Sequence, residues 1–393
     1  MRRWISVAAL TVGLVLMLAA GGVRWIAAPR LAVLPADTDT SRSYTGSAAT
    51  LFNAKALTAP DAGPVLLSNV PIRVSHRTTV LDTTGNNALV SDSGTVTAAG
   101  SPIAGFQYRY AVDRTNMGRG AGFRGVVAQT GITFNFPIHT AKHNYPGWIP
   151  DTQSTVPLTY QGSATHAGLS TYVFRTNSTP TPITDPETLK SLPAALPKST
   201  LARLAAGLRL PAGGLSSLQS MLASLPDPVP FSYTYQVHAT YWVQPTTGEI
   251  VDLREHEVRS LTLTAGKTLV PITPVLDITY TSTPAGLAAA VHDARHDAGL
   301  IDLAYRWLPL ILLATGLAAL LTGAASLLFA RRKRHAATAL VNPAPAPSAH
   351  SATRDDAPAS TPLARDEPEP AADQPPAPEP VPVTRRGGAH RAS

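Results

Sequence analysis

The sequence predicts an α+β membrane protein: a β-rich, antiparallel extracytoplasmic domain with a short-helix insertion, held between two transmembrane helices. Three observations predict it. Two long uncharged apolar stretches lie toward the ends of the 393-residue chain, basic clusters flank each on one side, and strand-like alternation fills most of the sequence between them.

The apolar stretches run from Trp4 to Val23 and from Trp307 to Ala330. Each reaches the ~20 helical residues that cross a hydrocarbon core of about 30 Å. Arg2 and Arg3 precede the first, and Arg331, Arg332, Lys333 and Arg334 follow the second, against single arginines, Arg24 and Arg306, on the far sides. Because basic residues are retained on the cytoplasmic face, both termini are expected inside a cytoplasmic (inner) membrane, with the intervening domain outside. The first stretch shares a basic start and a small-residue patch, Ala19-Ala20-Gly21, with secretory signals. Its apolar run is longer than the ~7–15 residues usual for such a signal and no clean A-x-A site follows, so an uncleaved anchor is expected. Residues 1–28 are therefore read as the first membrane helix and 307–330 as the second.

Charge partition supports this topology. The chain carries a formal charge of +7, which would ordinarily raise nucleic acid as a partner. Residues 29–304 hold 19 basic against 18 acidic side chains and the stretch from His335 onward holds 5 against 7, so the excess sits on the helix flanks. Membrane lipids, not nucleic acid, are the expected partners. The absence of cysteine excludes disulfides, thiolate metal sites and a cysteine nucleophile, so the outer domain must be stable by burial alone.

Residues 29–283 are read as the extracytoplasmic domain. Its first part, 29–63, has few apolar residues and is expected to be the chain joining membrane to domain. From Val65 onward, strand alternation begins, with runs at 72–80, 106–112, 131–136, 169–174 and 231–243, and a turn at Asp82–Asn87. The turn Pro245-Thr-Thr-Gly248 joins the run ending at Val243 to the one starting at Glu249, a hairpin in which Gly248 is free to take positive φ. At about 185–226 the pattern becomes helical. Asp185 is placed to cap, Pro186 to open the first turn, and leucines recur at 201, 204, 208, 215, 218, 222 and 225, cut into short helices by Pro193, Pro197, Pro211 and Pro226. This insertion is expected to cover one face or end of the sheet.

A juxtamembrane amphipathic helix is predicted over 284–306, capped by Thr283 and opened by Pro284. Its apolar stripe is Leu287, Val291, Ala294, Ala298, Ile301 and Tyr305. It is placed to continue into the second membrane helix, where Pro309 invites a kink. Residues 331–393, rich in Pro, Ala, Ser and acid, form a disordered cytoplasmic tail by composition.

No catalytic constellation emerges, and a non-enzymatic protein is expected. His292 and His296, beside Asp293 and Asp297, have helical spacing for two metal ligands, as do His139 and His143, but a metal site takes three or four, so no metal or other cofactor is assigned. Asp252, Glu255, His256 and Glu257 could suggest acid–base chemistry. Strand parity puts Glu255 and Glu257 on one side and His256 on the other, and a solvated polar edge is expected. The glycines of Gly118–Gly125 match no phosphate-binding pattern. The aromatic residues Tyr108, Tyr110, Phe134, Phe136, Tyr172, Phe174, Tyr233, Tyr235, Tyr241 and Trp242 gather in strands. They serve either as ordinary core or as the lining of a curved sheet that holds an acyl chain or glycan, with the helical insertion as its lid.

The segments Tyr110-Ala-Val-Asp-Arg-Thr115, Phe136-Pro137 to Tyr145-Pro-Gly-Trp148, Gly168-Leu-Ser-Thr-Tyr-Val-Phe174 and Tyr241-Trp-Val-Gln-Pro-Thr-Thr-Gly248 resemble the actinobacterial PorA-like family, in this order, within a match over about residues 5–330. The resemblance implies an envelope membrane protein. Its family label implies a porin, whereas the LmcA-like relatives imply an association with lipoglycan assembly. A transmembrane β-barrel needs ~10-residue strands with an apolar outer band. The proline-interrupted strands and helical spans here fit poorly, so binding or presentation of a lipid or lipoglycan in envelope biogenesis is expected. The alternatives are a channel and a scaffold for envelope biosynthesis proteins.

Overall fold

The structure is a computed structural model that describes residues 2–53, 55–58, 63–207, 216, 220, 222–265 and 268–341. Fourteen strands are named in chain order among these residues: β1 Asp39–Phe52, β2 Leu66–Leu67, β3 Val70–Thr84, β4 Asn87–Ala98, β5 Ser101–Asp113, β6 Tyr145–Ile149, β7 Ser154–His166, β8 Leu169–Asn177, β9 Thr181–Pro182, β10 Ala195–Leu196, β11 Val229–Pro230, β12 Ser232–Val243, β13 Ile250–Ala265 and β14 Thr268–Ser282. All but β10 and β11 join one sheet, ordered β5-β4-β3-β1-β14-β13-β12-β8-β7-β6, with β2 beside β1 and β9 beside β12. The paired strands are antiparallel.

The central position of β1 corrects the expectation that 29–63 merely joins membrane to domain. Its sequence, DTSRSYTGSAATLF, alternates as a strand does, but small and hydroxyl-bearing residues stand where large apolar ones usually mark a buried face. Tyr44, Ala48 and Leu51 form its inner row. β1 pairs with β14, Tyr44 opposite Ser282, so the first and last long strands are neighbours and bring the two apolar helices together.

The sheet curls until its edges, β5 and β6, face each other across segment 114–144. That segment lies along both edges: Val127 N–H donates to Arg109 C=O at 2.8 Å, Ile132 N–H to Pro146 C=O at 2.8 Å, and Trp148 N–H to Ile132 C=O at 2.9 Å. The exposed edges are thereby satisfied. Residues 131–136, expected as a strand, make one isolated bridge, Ile132 with Gly147, not a ladder.

The expected turn at Pro245–Gly248 is present, with Gly248 at φ 76° against the Phe136 carbonyl, where a Cβ has no room. Both expected helix caps also form. Asp185 accepts from Thr188 N–H at 2.8 Å, and Thr283 Oγ1 accepts from Gly286 N–H at 3.0 Å. Much of the leucine-rich insertion, including Leu208, Leu215 and Leu218, lies outside the described residues.

Two helices are long and apolar enough to cross a membrane, Trp4–Arg30 and Pro284–Arg332. Their most apolar windows are only 17% and 11% buried, unlike the core helix of a soluble domain. The second is continuous with the capped helix Pro284–Asp302, but its irregularity is a π turn at Leu303–Trp307, not a kink at Pro309. A matching π turn, Val23–Ala27, interrupts the first, and Arg24 stands 5.1 Å from the Tyr305 ring centroid across the pair. The helices meet through small residues. A Cβ on Gly13 would lie 2.7 Å from the Gly316 carbonyl oxygen, and one on Gly316 2.9 Å from that of Gly13. Such close approach is how helices associate in lipid, where no hydrophobic drive separates them from the solvent. Residues 331–341, expected to be disordered, continue the helix to Val341.

Candidate functional site

The inner face of the curled sheet encloses a cavity of about 1130 Å³, above the ~300–1,000 Å³ typical of small-molecule sites. Its floor is the packed aromatic cluster of Tyr110, Phe134 and Phe136. Its walls are the inward rows of β1, β3, β12, β13 and β14, with Tyr44, Val74, Tyr235, Leu261 and Leu276 among them. At the far end Leu192 and Leu196 of the helical insertion lie against it, and Leu201 and Leu222 extend the same apolar cluster. Tyr233 Oη ties the insertion to β12 by donating to Pro193 C=O at 2.7 Å. The described part of the insertion thus covers one end of the curled sheet.

Between β5 and the short helix Pro186–Lys190, the wall reaches solvent. Phe106 is 40% exposed, and Glu187 and Lys190, an ion pair at 2.6 Å, have side chains 71% and 70% exposed. Below this mouth, Tyr108 Oη donates to Asp185 at 3.1 Å, so the residue that caps the short helix also fastens it to β5.

The wall is strongly polar at one place. Glu255 and Glu257 are successive inward residues of β13, and Tyr280 Oη donates to Glu257 at 2.5 Å. Both keep partial accessibility because they face the cavity, although protein surrounds them. Burial, then the like charge of Glu257, raises the Glu255 carboxyl well above the usual range. Burial also raises Tyr235, Tyr241 and Tyr280, which stay protonated donors. The solvated edge expected for this acidic run is thus corrected. The parity holds, with His256 on the other side against Asp277 at 2.8 Å, but the shared side of the two glutamates is the cavity wall.

Further along the wall, Arg42 bonds Glu249 at 2.8 Å and Asp293 at 3.2 Å. Burial lifts Glu249 to about 7, against the opposing pull of Arg42 and with help from Asp297 and Asp293. Arg259 pairs with Asp151 at 3.1 Å, and His76 contacts Asp92 at 2.6 Å. The expected chemistry gave no weight to Glu249, Arg259 or Asp92. Only the period-2 inward parity of β4 and β13 could have signalled Asp92 and Arg259, and Glu249, just before β13, carried no such signal.

Of the ten aromatic residues singled out in the sequence, Tyr108, Tyr110, Phe134, Phe136, Tyr233, Tyr235 and Tyr241 line the cavity. The other three do not. Phe174 sits one inward position further along β8 than the cavity-lining Thr176 and is sealed beneath the floor, 4.4 Å from Phe136 between ring centroids. Tyr172, two residues beyond, packs on Tyr160 with Lys142 Nζ 5.4 Å from its ring. Trp242 follows inward Tyr241 and so points outward, stacked on His166 at 4.5 Å. Among the described residues no group of three or more His, Asp or Glu side chains is placed to hold a metal ion. Asp293, beside His292, is instead turned to Arg42.

The geometry is that of a deep pocket with an aromatic floor, an acidic wall and a side mouth. No curated protein matches the chain. The family described as Porin PorA matches residues 5–325, which takes in both apolar helices and the whole curled sheet, and the chain belongs to that family.

Proposed function

We propose that this is a non-enzymatic membrane-anchored protein of the cell envelope. Its curled-sheet domain lies outside the cytoplasmic membrane, both termini lie in the cytoplasm, and the domain binds or presents a lipid or lipoglycan during envelope biogenesis. The observation that carries this reading is the cavity of about 1130 Å³, whose aromatic and aliphatic walls suit an acyl chain and which reaches solvent beside Phe106. Native mass spectrometry of the full chain tests it. A stoichiometric amphiphile retained after annular lipid is stripped supports the reading, and a bare chain under those conditions contradicts it.

The family description favours a second reading, a channel. The outward row of β3, Arg73, Ser75 and Arg77, is exposed and polar. A barrel embedded in lipid presents apolar residues there. Conductance would therefore have to come from assembled helices rather than from the sheet. Steady conductance steps from the purified chain in planar bilayers would favour the channel.

A further inference from the structure

We propose that the polar end of the cavity's occupant is a cation, an amine-bearing head that seats against Glu255 and Glu257; this rests on the amphiphile-binding reading above. The charge inventory of the wall leads there. Six carboxylates line the cavity, Asp92, Asp151, Glu187, Glu249, Glu255 and Glu257, against Arg42, Lys190 and Arg259. Each of those three cations is already engaged: Arg42 by Glu249 and Asp293, Lys190 by Glu187 at the mouth, and Arg259 by Asp151. Asp92 is held by His76 at 2.6 Å and Thr78 at 3.0 Å. Glu255 and Glu257 remain, side by side, with the Tyr280 hydroxyl and no ion-pair partner among the described residues.

A second observation points to an occupant with polar atoms. Tyr110 and Thr176, 0% and 2% exposed, line the same cavity, and neither hydroxyl has a partner within the protein. Buried hydroxyls normally find one. They would receive further polar atoms of the occupant at the cavity floor, while the aliphatic wall takes the chain.

The head's charge follows from what the wall needs. A hydroxyl-bearing head leaves the pair holding the proton that burial and Glu257 keep on Glu255. An ammonium group takes that proton's place and lets both carboxyls ionise beside it, whereas an anionic head adds a like charge. Tyrosine faces add attraction for a cation. Tyr44 and Tyr280, 5.7 Å apart between ring centroids, stand beside the glutamates, and the wall already shows such a contact, Arg259 lying 5.7 Å from the Tyr235 ring centroid.

The test presents the full chain, in maltoside micelles, with hexadecylamine, hexadecanol and hexadecanoate at equal concentration, and native mass spectrometry counts the adducts. The amine is expected to bind at least tenfold tighter than the acid. The Glu255→Gln/Glu257→Gln pair of changes should bring that ratio within about twofold while leaving hexadecanol bound, which also shows that the variant keeps its cavity. Equal or tighter binding of the acid or the alcohol by the unaltered chain overturns the proposal. So does a preference for the amine that survives both changes, since it would arise outside the cavity. If none of the three binds, the amphiphile reading itself fails.

Discussion

One sheet builds two unlike interiors. Toward the apolar helices, the inward rows close into a solid aromatic core: Phe136 lies 4.4 Å from Phe174 and 5.4 Å from Tyr145 between ring centroids, and Tyr110, Val90, Val112 and Val243 are fully buried. Beyond Phe136 and Tyr110, the same strands diverge around the cavity. The rows alternate equally well in both halves, so strand patterning does not make the difference. What does is the material laid inside the curl. Segment 127–136 delivers Ile132, Phe134 and Phe136 into the first half, whereas the helical insertion meets the second only at its end. Inward Glu255, Glu257 and Arg259 then stand where a dry core would need apolar side chains. A packed half fixes the geometry, and the other half keeps room for a ligand.

Truncations should separate the halves most sharply. Phe174→Ala is expected to cost about 3–5 kcal/mol, because a sealed aromatic leaves a cavity its neighbours cannot fill. Leu276→Ala, on a wall already beside open space, should cost roughly 2 kcal/mol or less. Thermal and urea unfolding of the two variants measures the contrast, and equal losses would erase it.

The next effect is electrostatic. Glu249, with a side chain 13% exposed and a carboxyl lifted from 4.5 to about 7, holds a proton in the folded protein that the unfolded chain releases. Stability should therefore fall as pH rises from about 4.5 to about 7, by roughly 3 kcal/mol for this group, and stay low above that. Glu249→Gln should flatten that slope in unfolding measured across pH 5–8. An unchanged slope would place the titration elsewhere.

Smaller again is the fastening of the mouth. Asp185→Ala removes the cap of the 186–190 helix and the acceptor of Tyr108 Oη, for about 1 kcal/mol. Hydrogen exchange at 186–192 should quicken while the packed half keeps its protection. The smallest expected effect is on the outer face. His166→Ala, which removes the Trp242 stack and the Asp252 contact, should change stability by less than about 1 kcal/mol and leave amphiphile binding unaltered in the same mass-spectrometric assay.

The contrast between the halves also shows what the amino-acid sequence could disclose. The apolar helices, the caps at Asp185 and Thr283, the turn at Gly248 and the inward parity of Tyr233, Tyr235 and Tyr241 are local signals, and they were legible. β1 was not, because Ala48 and its hydroxyl-bearing neighbours fill a central strand that partner strands, not its own side chains, make buried. Glu255 and Glu257 read as a solvated edge, since parity says which residues share a side but not whether that side faces bulk water or an enclosed space. Trp242 was grouped with Tyr241 for being aromatic, although adjacent strand residues point to opposite faces.

That adjacency gives the most direct test of the central claim, that an acyl chain occupies the curl. In a chain with Trp4, Trp25, Trp148 and Trp307 changed to Phe, one form keeps Trp242 on the outer face, and a second combines Trp242→Phe with Tyr241→Trp, moving the indole one residue onto the cavity wall. Titrated with a brominated-chain amphiphile, the inner indole should lose at least half its emission and saturate at one ligand per chain, with the outer one nearly unaffected. Equal quenching of the two, or none of the inner, would contradict the account.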